Sequence, residues 1–274
     1  MPITIGMGGY INNQLFMLEK NVNIDEEYYR QLLGLLRIYP ISNAFCRVGR
    51  HGDGGYLMVN CMRGGIAYSL GINDDVSWDE DMADRGYEVY MYDHTIDRLP
   101  AERKEFHFFK CGITNRLGVE NACDRMNTLE NFLRENRHEH QNDMILKMDI
   151  EGAEWDVLAE VEEKILSQFS QIVVEYHGLV GANGDMVERK ILPSLRKINR
   201  THKLVHLHGN NMGAYIKWGN KIFPDAVEAT YVHCGLPAVL GAKKGIKLPN
   251  VLDEPNDPNR SDIVLGNWNE PFRI

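Results

Sequence analysis

The chain has no CxxC pair, no unbroken apolar run of about 20 residues, and fewer cationic than acidic side chains. Each absence excludes something. The five cysteines, Cys46, Cys61, Cys111, Cys123 and Cys234, are odd in number and scattered, so neither a disulfide framework nor a paired-cysteine zinc site is expected. They read as reduced, buried thiols of a cytoplasmic protein. The opening stretch MPITIGMGGYINNQLFML carries no charge, but Pro2, its glycines and Asn12-Asn13-Gln14 interrupt it. Without a cationic start it fits neither a secretory signal nor a membrane span. Thirty Lys and Arg against 39 Asp and Glu, a net charge of -9, argue against a nucleic-acid partner, because phosphate contacts need clustered cations. GxSxG, GxxxxGK[ST] and HExxH are missing as well, which removes serine-hydrolase, P-loop and helical zinc-site chemistry.

What is present is an alternation. The run from Ile24 to Pro40 has helical spacing and predicts a helical prefix. Beyond it, strand-like segments IAYSL (66–70), EVYMYD (88–93), EFHFFK (105–110), MILKMD (144–149), QIVVEYH (171–177) and KLVHLH (203–208) are separated by helix-like stretches or turns. Repeated strand and helix predict an α/β fold with a mostly parallel sheet covered on both faces. AVEATYVHC and AVLGA, joined only by Gly235-Leu236-Pro237, predict an antiparallel hairpin at one sheet edge. The expected organisation is a helical extension over residues 1–45, one main domain over 46–246, and an extended tail over 247–274, rich in Pro, Asn and Asp, that wraps the domain or a neighbouring subunit.

Open parallel sheets bind ligands beyond the carboxyl ends of their strands. Ser69, Gly71, Ile72 and Asn73 form a one-glycine turn after the first strand, and Asp93 and His94 follow the second. Asp93 stands 22 residues after Gly71, the offset at which an acid accepts hydrogen bonds from an adenosine ribose. A dinucleotide would need GxGxxG, and Asp74 and Asp75 would repel its diphosphate. A cationic sulfonium with an amino-acid tail tolerates those acids, so S-adenosylmethionine is the expected cofactor ahead of NAD. Gly112 and Ile113, after the third strand, are placed to cover an adenine face. The fourth strand ends in Asp149, aimed at the reactive end, followed by Glu151, Glu154 and Asp156. Glu154 and Asp156 read as partners of the next helix's dipole, and helix capping is the competing role for Asp149. Glu175 and His177 end the fifth strand; of His206 and His208 on the sixth, at most one is expected at the ligand edge. In GRHGDGGY, Arg50 and Asp53 belong to a loop expected to close over the cofactor.

The run LKMDIEGAEWDVL, flanked by GRHGDGGY, YSLGINDDVSWD, VYMYDHT and HLHGNN, resembles FkbM-type S-adenosylmethionine-dependent methyltransferases over roughly residues 48–240. The resemblance implies a Rossmann-like class I methyltransferase sheet and O-methylation of natural products or glycans. The substrate it implies is a small molecule, a sugar or nucleotide sugar of a surface-glycan pathway, in a protein compatible with homo-oligomers. Abstraction of the acceptor proton has two open routes. Either His177 or His208, oriented by Asp149 or Glu175, is the base, or a divalent metal on Asp149, Glu175 and His177 acidifies the hydroxyl. An NAD(P)-dependent oxidoreductase and a non-catalytic cofactor-binding protein of the same fold are the competing readings.

Overall fold

The computed structural model describes residues 4–6, 25–114, 126–236 and 246–273. Its centre is a seven-stranded sheet, whose strands we number in chain order: β1 (Gly65–Leu70), β2 (Tyr87–Tyr92), β3 (Phe106–Phe109), β4 (Met144–Met148), β5 (Phe169–Tyr176), β6 (His202–Gly209) and β7 (Val227–His233). The spatial order is β6-β7-β5-β4-β1-β2-β3. β1 pairs parallel with β4 and β2, β2 with β3, and β4 with β5, while β7 runs antiparallel between β5 and β6. The order reverses between β1 and β4, so the topological switch point lies where Gly71 and Asp149 end adjacent strands. This strand order, with its single reversed strand inside an otherwise parallel sheet, is that of the expected Rossmann-like methyltransferase fold.

The central strands are buried runs, MILKM of β4 being buried throughout as a sheet covered on both faces requires, while β2 is exposed at Glu88 and β3, at the edge, is only partly buried. Helices do the covering. Helix α1 (Glu26–Leu35) starts at Asp25, whose side chain accepts the Tyr28 amide at 3.1 Å, and it buries Tyr28, Tyr29 and Leu32. Helix α2 (Ser77–Asp84) follows β1, helix α3 (Leu129–Glu135) is capped by Thr128, and helix α4 (Glu154–Glu160) follows β4. The segment before β6 is continuous from Gly184 to Thr201, with a π-helical stretch over Val187–Ile191.

Three expectations are corrected. AVEATYVHC is β7, which lies between β5 and β6 instead of at an edge, and pairs with both; AVLGA lies outside the described residues. A hairpin over Tyr215–Trp218 and Lys221–Pro224 fills the β6 to β7 connection, and Thr4–Gly6 adds a strand to it, so the N-terminal extension is not helical throughout. Of the cysteines, Cys111 is buried, Cys46 and Cys61 are half-buried and Cys234 is exposed, while Cys123 lies outside the described residues. Two further features complete the frame. Strands Phe45–Val48 and Tyr56–Val59 form an antiparallel hairpin whose turn carries GRHGDGG. The tail doubles back on itself, Lys247 and Leu248 pairing antiparallel with Asn267 and Gly266, and crosses the domain's own surface, held by Asp253 against His206 (2.8 Å), Asp262 against His208 (3.0 Å) and the Trp268 indole against the Leu36 carbonyl (2.8 Å). No helix among the described residues is long and apolar enough to cross a membrane.

Candidate active site

A cavity of about 410 Å³ opens at the switch point. It is walled by the β1 turn (Gly71 to Asp75), the β2 end (Tyr92 to Thr95), Gly112, Ile113 and Met126, the β4 end (Asp149 to Glu151), and Arg50, Asp53 and Gly54 of the hairpin turn. Gly71 makes this junction possible. Its φ is +82°, and a Cβ there would sit 1.7 Å from the Asp149 carbonyl oxygen, so only glycine lets the two strand ends approach. Lys147 closes the floor: its Nζ donates to the Gly71 carbonyl at 2.9 Å and lies 5.6 Å from the centre of the Tyr56 ring.

Asp93 faces this cavity, buried to 6% exposure. Its Oδ2 accepts the Ile72 and Asn73 amides at 2.8 and 2.9 Å, and its Oδ1 accepts the Thr95 amide and hydroxyl at 2.7 and 2.6 Å. Burial alone would raise its pKa, but these donors together hold the carboxyl below its ordinary range. The four acceptor sites of the carboxylate are therefore filled by protein. Asp93 shapes the β1 turn first, and any ligand hydroxyl must exchange with one of these partners.

At the other end of the cavity, Asp149 does not cap α4. Its Oδ2 accepts the Tyr56 hydroxyl at 2.8 Å. Glu154 is wholly buried and holds the loop instead, its Oε1 accepting the Ile150 and Gly152 amides at 2.9 and 3.3 Å. The same oxygen lies 3.2 Å from Nδ1 of His177. Glu154, expected as a dipole partner, is thus an orienter of His177. Nε2 of that ring faces Glu151 at 3.7 Å and Glu175 at 3.8 Å. Burial opposes a proton on His177, but Glu154, Glu175 and Asp149 outweigh it and raise the ring to about 9. Glu175, 3% exposed, is pushed well above the usual carboxylate range by burial and by the charges of Asp149 and Glu228. Its Oε1 accepts the Asn210 amide group at 2.6 Å.

The sequence-predicted residues divide accordingly. Asp53, Gly71, Ile72, Asn73, Asp93, His94, Gly112, Ile113 and Asp149 line the cavity. His177 stands just behind Asp149, within reach of it. Ser69 is fully buried beneath the turn and is not among the lining residues, because its side chain points into the core from the strand. His206 and His208, two residues apart, share a face, and both are buried against the tail. His208 lies between Glu228 (3.1 Å) and Asp262 (3.0 Å) with both ring nitrogens engaged. Burial opposes its proton, yet Asp262 and Glu228 raise it to about 10. It pins the tail rather than facing the cavity. Sequence reasoning passed over Tyr56, Lys147 and Trp78. Tyr56 ends the GRHGDGGY motif, where an aromatic after a glycine-rich turn was the available signal. The Trp78 indole N–H is buried at the cavity wall with no hydrogen-bond partner among the described residues.

The arrangement is a ligand cleft with a glycine turn, an acid at the second strand end and apolar side chains Ile72, Ile113 and Met126, ending in a carboxylate and a histidine: the layout of a methyltransferase. Residues 40–218 match a family described as a methyltransferase domain, and the chain belongs to that family. Probable methyltransferase-like protein 24 of Homo sapiens and its Rattus norvegicus counterpart are each 30% identical over 118 residues, 40% of this chain and 32% of theirs. The match thus spans about a third of those relatives' length. Among solved structures, a candidate methyltransferase from Streptococcus mutans in complex with SAH has a TM-score of 0.33 and 8% identity, covering 78% of this chain and 99% of that one. A candidate methyltransferase from an antibiotic biosynthesis pathway of Anabaena variabilis has a TM-score of 0.30 and 11% identity, covering 55% and 61%. Likenesses that distant carry no argument; the family match and the strand order carry the assignment.

Proposed function

We propose that this chain binds S-adenosylmethionine in the switch-point cavity and methylates a hydroxyl of a small polar acceptor. The observation that carries this reading is the cavity's donor set. Carboxylates dominate its rim, with Asp53, Asp74, Asp75, Asp93, Asp149 and Glu151 against Arg50 and Lys147, and Arg50 is held 3.2 Å from Asp75. A cationic sulfonium with an ammonium group suits that balance, and a dinucleotide diphosphate does not. The orphaned Trp78 N–H and the Gly71 cradle are further features that fit a polar ligand seated against the β1 turn. In this reading Asp93, Asn73 and His94 hold its ribose, Ile113 and Met126 its base, and Asp74, Asp75 and Asp53 its amino-acid end. Bound there, the cofactor supplies a methyl group on a sulfur that leaves as a neutral thioether.

The chain's own residues supply alignment and a route for the acceptor's proton. Asp149, fixed by Tyr56, meets the cavity at its reactive end, and His177, fixed by Glu154, stands behind it. Asp149 orients the acceptor hydroxyl and accepts its proton, with the charged His177 ring beside it as counter-charge. The FkbM-type resemblance supports a sugar-like alcohol as acceptor. The acidic rim favours an uncharged sugar over a nucleotide-linked one, whose diphosphate would meet the same carboxylates. Cytoplasmic residence, inferred from the odd number and scattered spacing of the cysteines in the sequence, belongs to the same reading.

Calorimetric titration with S-adenosylhomocysteine, with NAD as control, tests it. Micromolar binding of the former and none of the latter is expected; the reverse would make the chain an oxidoreductase. Binding without methyl transfer to any of a panel of sugars would leave the cofactor assigned and remove the acceptor class.

A further inference from the structure

The acids behind the cavity are not balanced by cationic side chains. Among the described residues, Glu151, Glu154 and Glu175 all find their charged partner in one imidazole, that of His177. Asp149 has the Tyr56 hydroxyl and no lysine or arginine within ion-pair distance among the described residues. Four carboxylates therefore surround a single ring at the exact place where the proposed reaction needs a polarised oxygen.

The ring is also arranged as a ligand. Glu154, with no exposure, approaches Nδ1 at 3.2 Å, and the Trp155 indole donates to the His177 carbonyl at 2.7 Å, so both the side chain and the backbone of His177 are fixed. A buried carboxylate on one imidazole nitrogen leaves the other to face outward, an arrangement characteristic of metal-binding histidines. That outward nitrogen, Nε2, lies 3.7 Å from a Glu151 carboxylate oxygen, and donor atoms of Asp149, Glu151 and His177 all lie within 4.8 Å of one another. Glu154 fixes the other half of the set as well, because its Oε1 also accepts the amides of Ile150 and Gly152 that flank Glu151. Glu151 itself sits at a φ of +55°, and its side chain is 86% exposed, so it lies on the open side of the cluster.

We propose that Asp149, Glu151 and His177 form a binding site for a divalent cation at the reactive end of the cavity. The proposal rests on the methyltransferase reading above and deepens it. Two carboxylates and an imidazole form a hard-to-borderline set suited to Mn²⁺ and similar ions, and three protein ligands leave positions open for water or substrate. The ligand set differs from that expected from the sequence: Glu151 replaces Glu175, which is engaged by Asn210 at 2.6 Å. A cation there would draw in an acceptor with two neighbouring oxygens, as a vicinal diol of a sugar offers, and would make a coordinated hydroxyl more acidic. Glu154 is a positioning residue in this scheme.

The test is titration of the purified full chain with Mn²⁺, followed by loss of the free-ion electron paramagnetic resonance signal, with and without S-adenosylhomocysteine. About one ion per chain is expected to bind, at least about tenfold more weakly after His177→Ala or Glu151→Gln, and about 10- to 100-fold more weakly after Glu154→Gln. Glu151 is largely exposed, so Glu151→Gln keeps the test decisive if the buried variants fail to fold. A free-ion signal that persists up to about 1 mM Mn²⁺ while S-adenosylhomocysteine binds would overturn the cation site and spare the methyltransferase reading. Equal Mn²⁺ affinity in wild type and Glu151→Gln would also overturn it. Mn²⁺ binding with the expected variant pattern, but no S-adenosylhomocysteine binding, would uphold the cation site and overturn the cofactor reading.

Discussion

Asp93 and Glu175 lie on the same carboxyl edge of the same sheet, and both are nearly buried, at 6% and 3% exposure. Their acidities nevertheless move in opposite directions. Around Asp93 the protein directs three backbone amides and a hydroxyl at the carboxylate, and the group is held ionised. Around Glu175 burial is joined by two further acids, Asp149 and Glu228, with one Asn210 amide group and the distant His177 ring as relief. Burial is common to both, so the neighbours decide the sign. At the β1–β2 end the carboxylate is satisfied by its own donors. At the β4–β5 end the carboxylates outnumber the cationic groups that face them.

The comparison breaks first at Gly71, where the two ends meet. Gly71→Ala places a methyl group 1.7 Å from the Asp149 carbonyl oxygen at a positive φ. It should destabilise the fold by about 3 kcal/mol or more, read as a lowered urea midpoint. Asp149→Asn tests the charged end alone. It keeps the size of the side chain and an acceptor for the Tyr56 hydroxyl, so the urea midpoint should hold while steady-state turnover falls by about 100-fold or more. Unchanged turnover would take Asp149 out of the mechanism.

Asp93→Ala tests the satisfied end. It strands the Ile72, Asn73 and Thr95 donors, so about 1–3 kcal/mol of stability should go along with S-adenosylhomocysteine affinity. Loss of affinity with full stability would mean that Asp93 serves the ligand more than the turn.

The smallest effect sharpens the contrast through pH. His177 and His208 are raised to about 9 and about 10 in the folded chain, above their unfolded value. Their contribution to stability is therefore complete below about pH 6.5 and is lost as pH rises through those values, since the unfolded chain releases the protons first. The thermal midpoint should fall between pH 7 and 10. His208→Gln should flatten that slope without altering affinity for S-adenosylhomocysteine; an unaltered slope would mean that the tail does not depend on its charge.

How far the sequence could be read follows the same division. The parallel strands were legible because β-branched and aromatic runs end in glycine or acid, and helix α3 because Thr128 caps it. The cavity wall was legible too, since Gly71, Asp93 and Asp149 each stand at a strand end and the topology places strand ends together. AVEATYVHC misled because an antiparallel strand looks the same in sequence wherever it pairs; its insertion between β5 and β6 is a choice among long-range partners. Glu154 misled because an acid in a first helical turn suits the dipole whether or not it is buried.

By itself, then, the sequence determined the alternation of strand and helix, the glycine turn and the chemical type of each strand end, since these follow from local backbone preference and side-chain spacing. Only the tertiary structure decided which acids meet. Tyr56 reaches Asp149 across 93 positions, Asn256 reaches both Asp53 and Glu228, and Glu154 reaches His177. Contacts of that kind depend on how a hairpin and a tail pack over the sheet, and no local pattern encodes them.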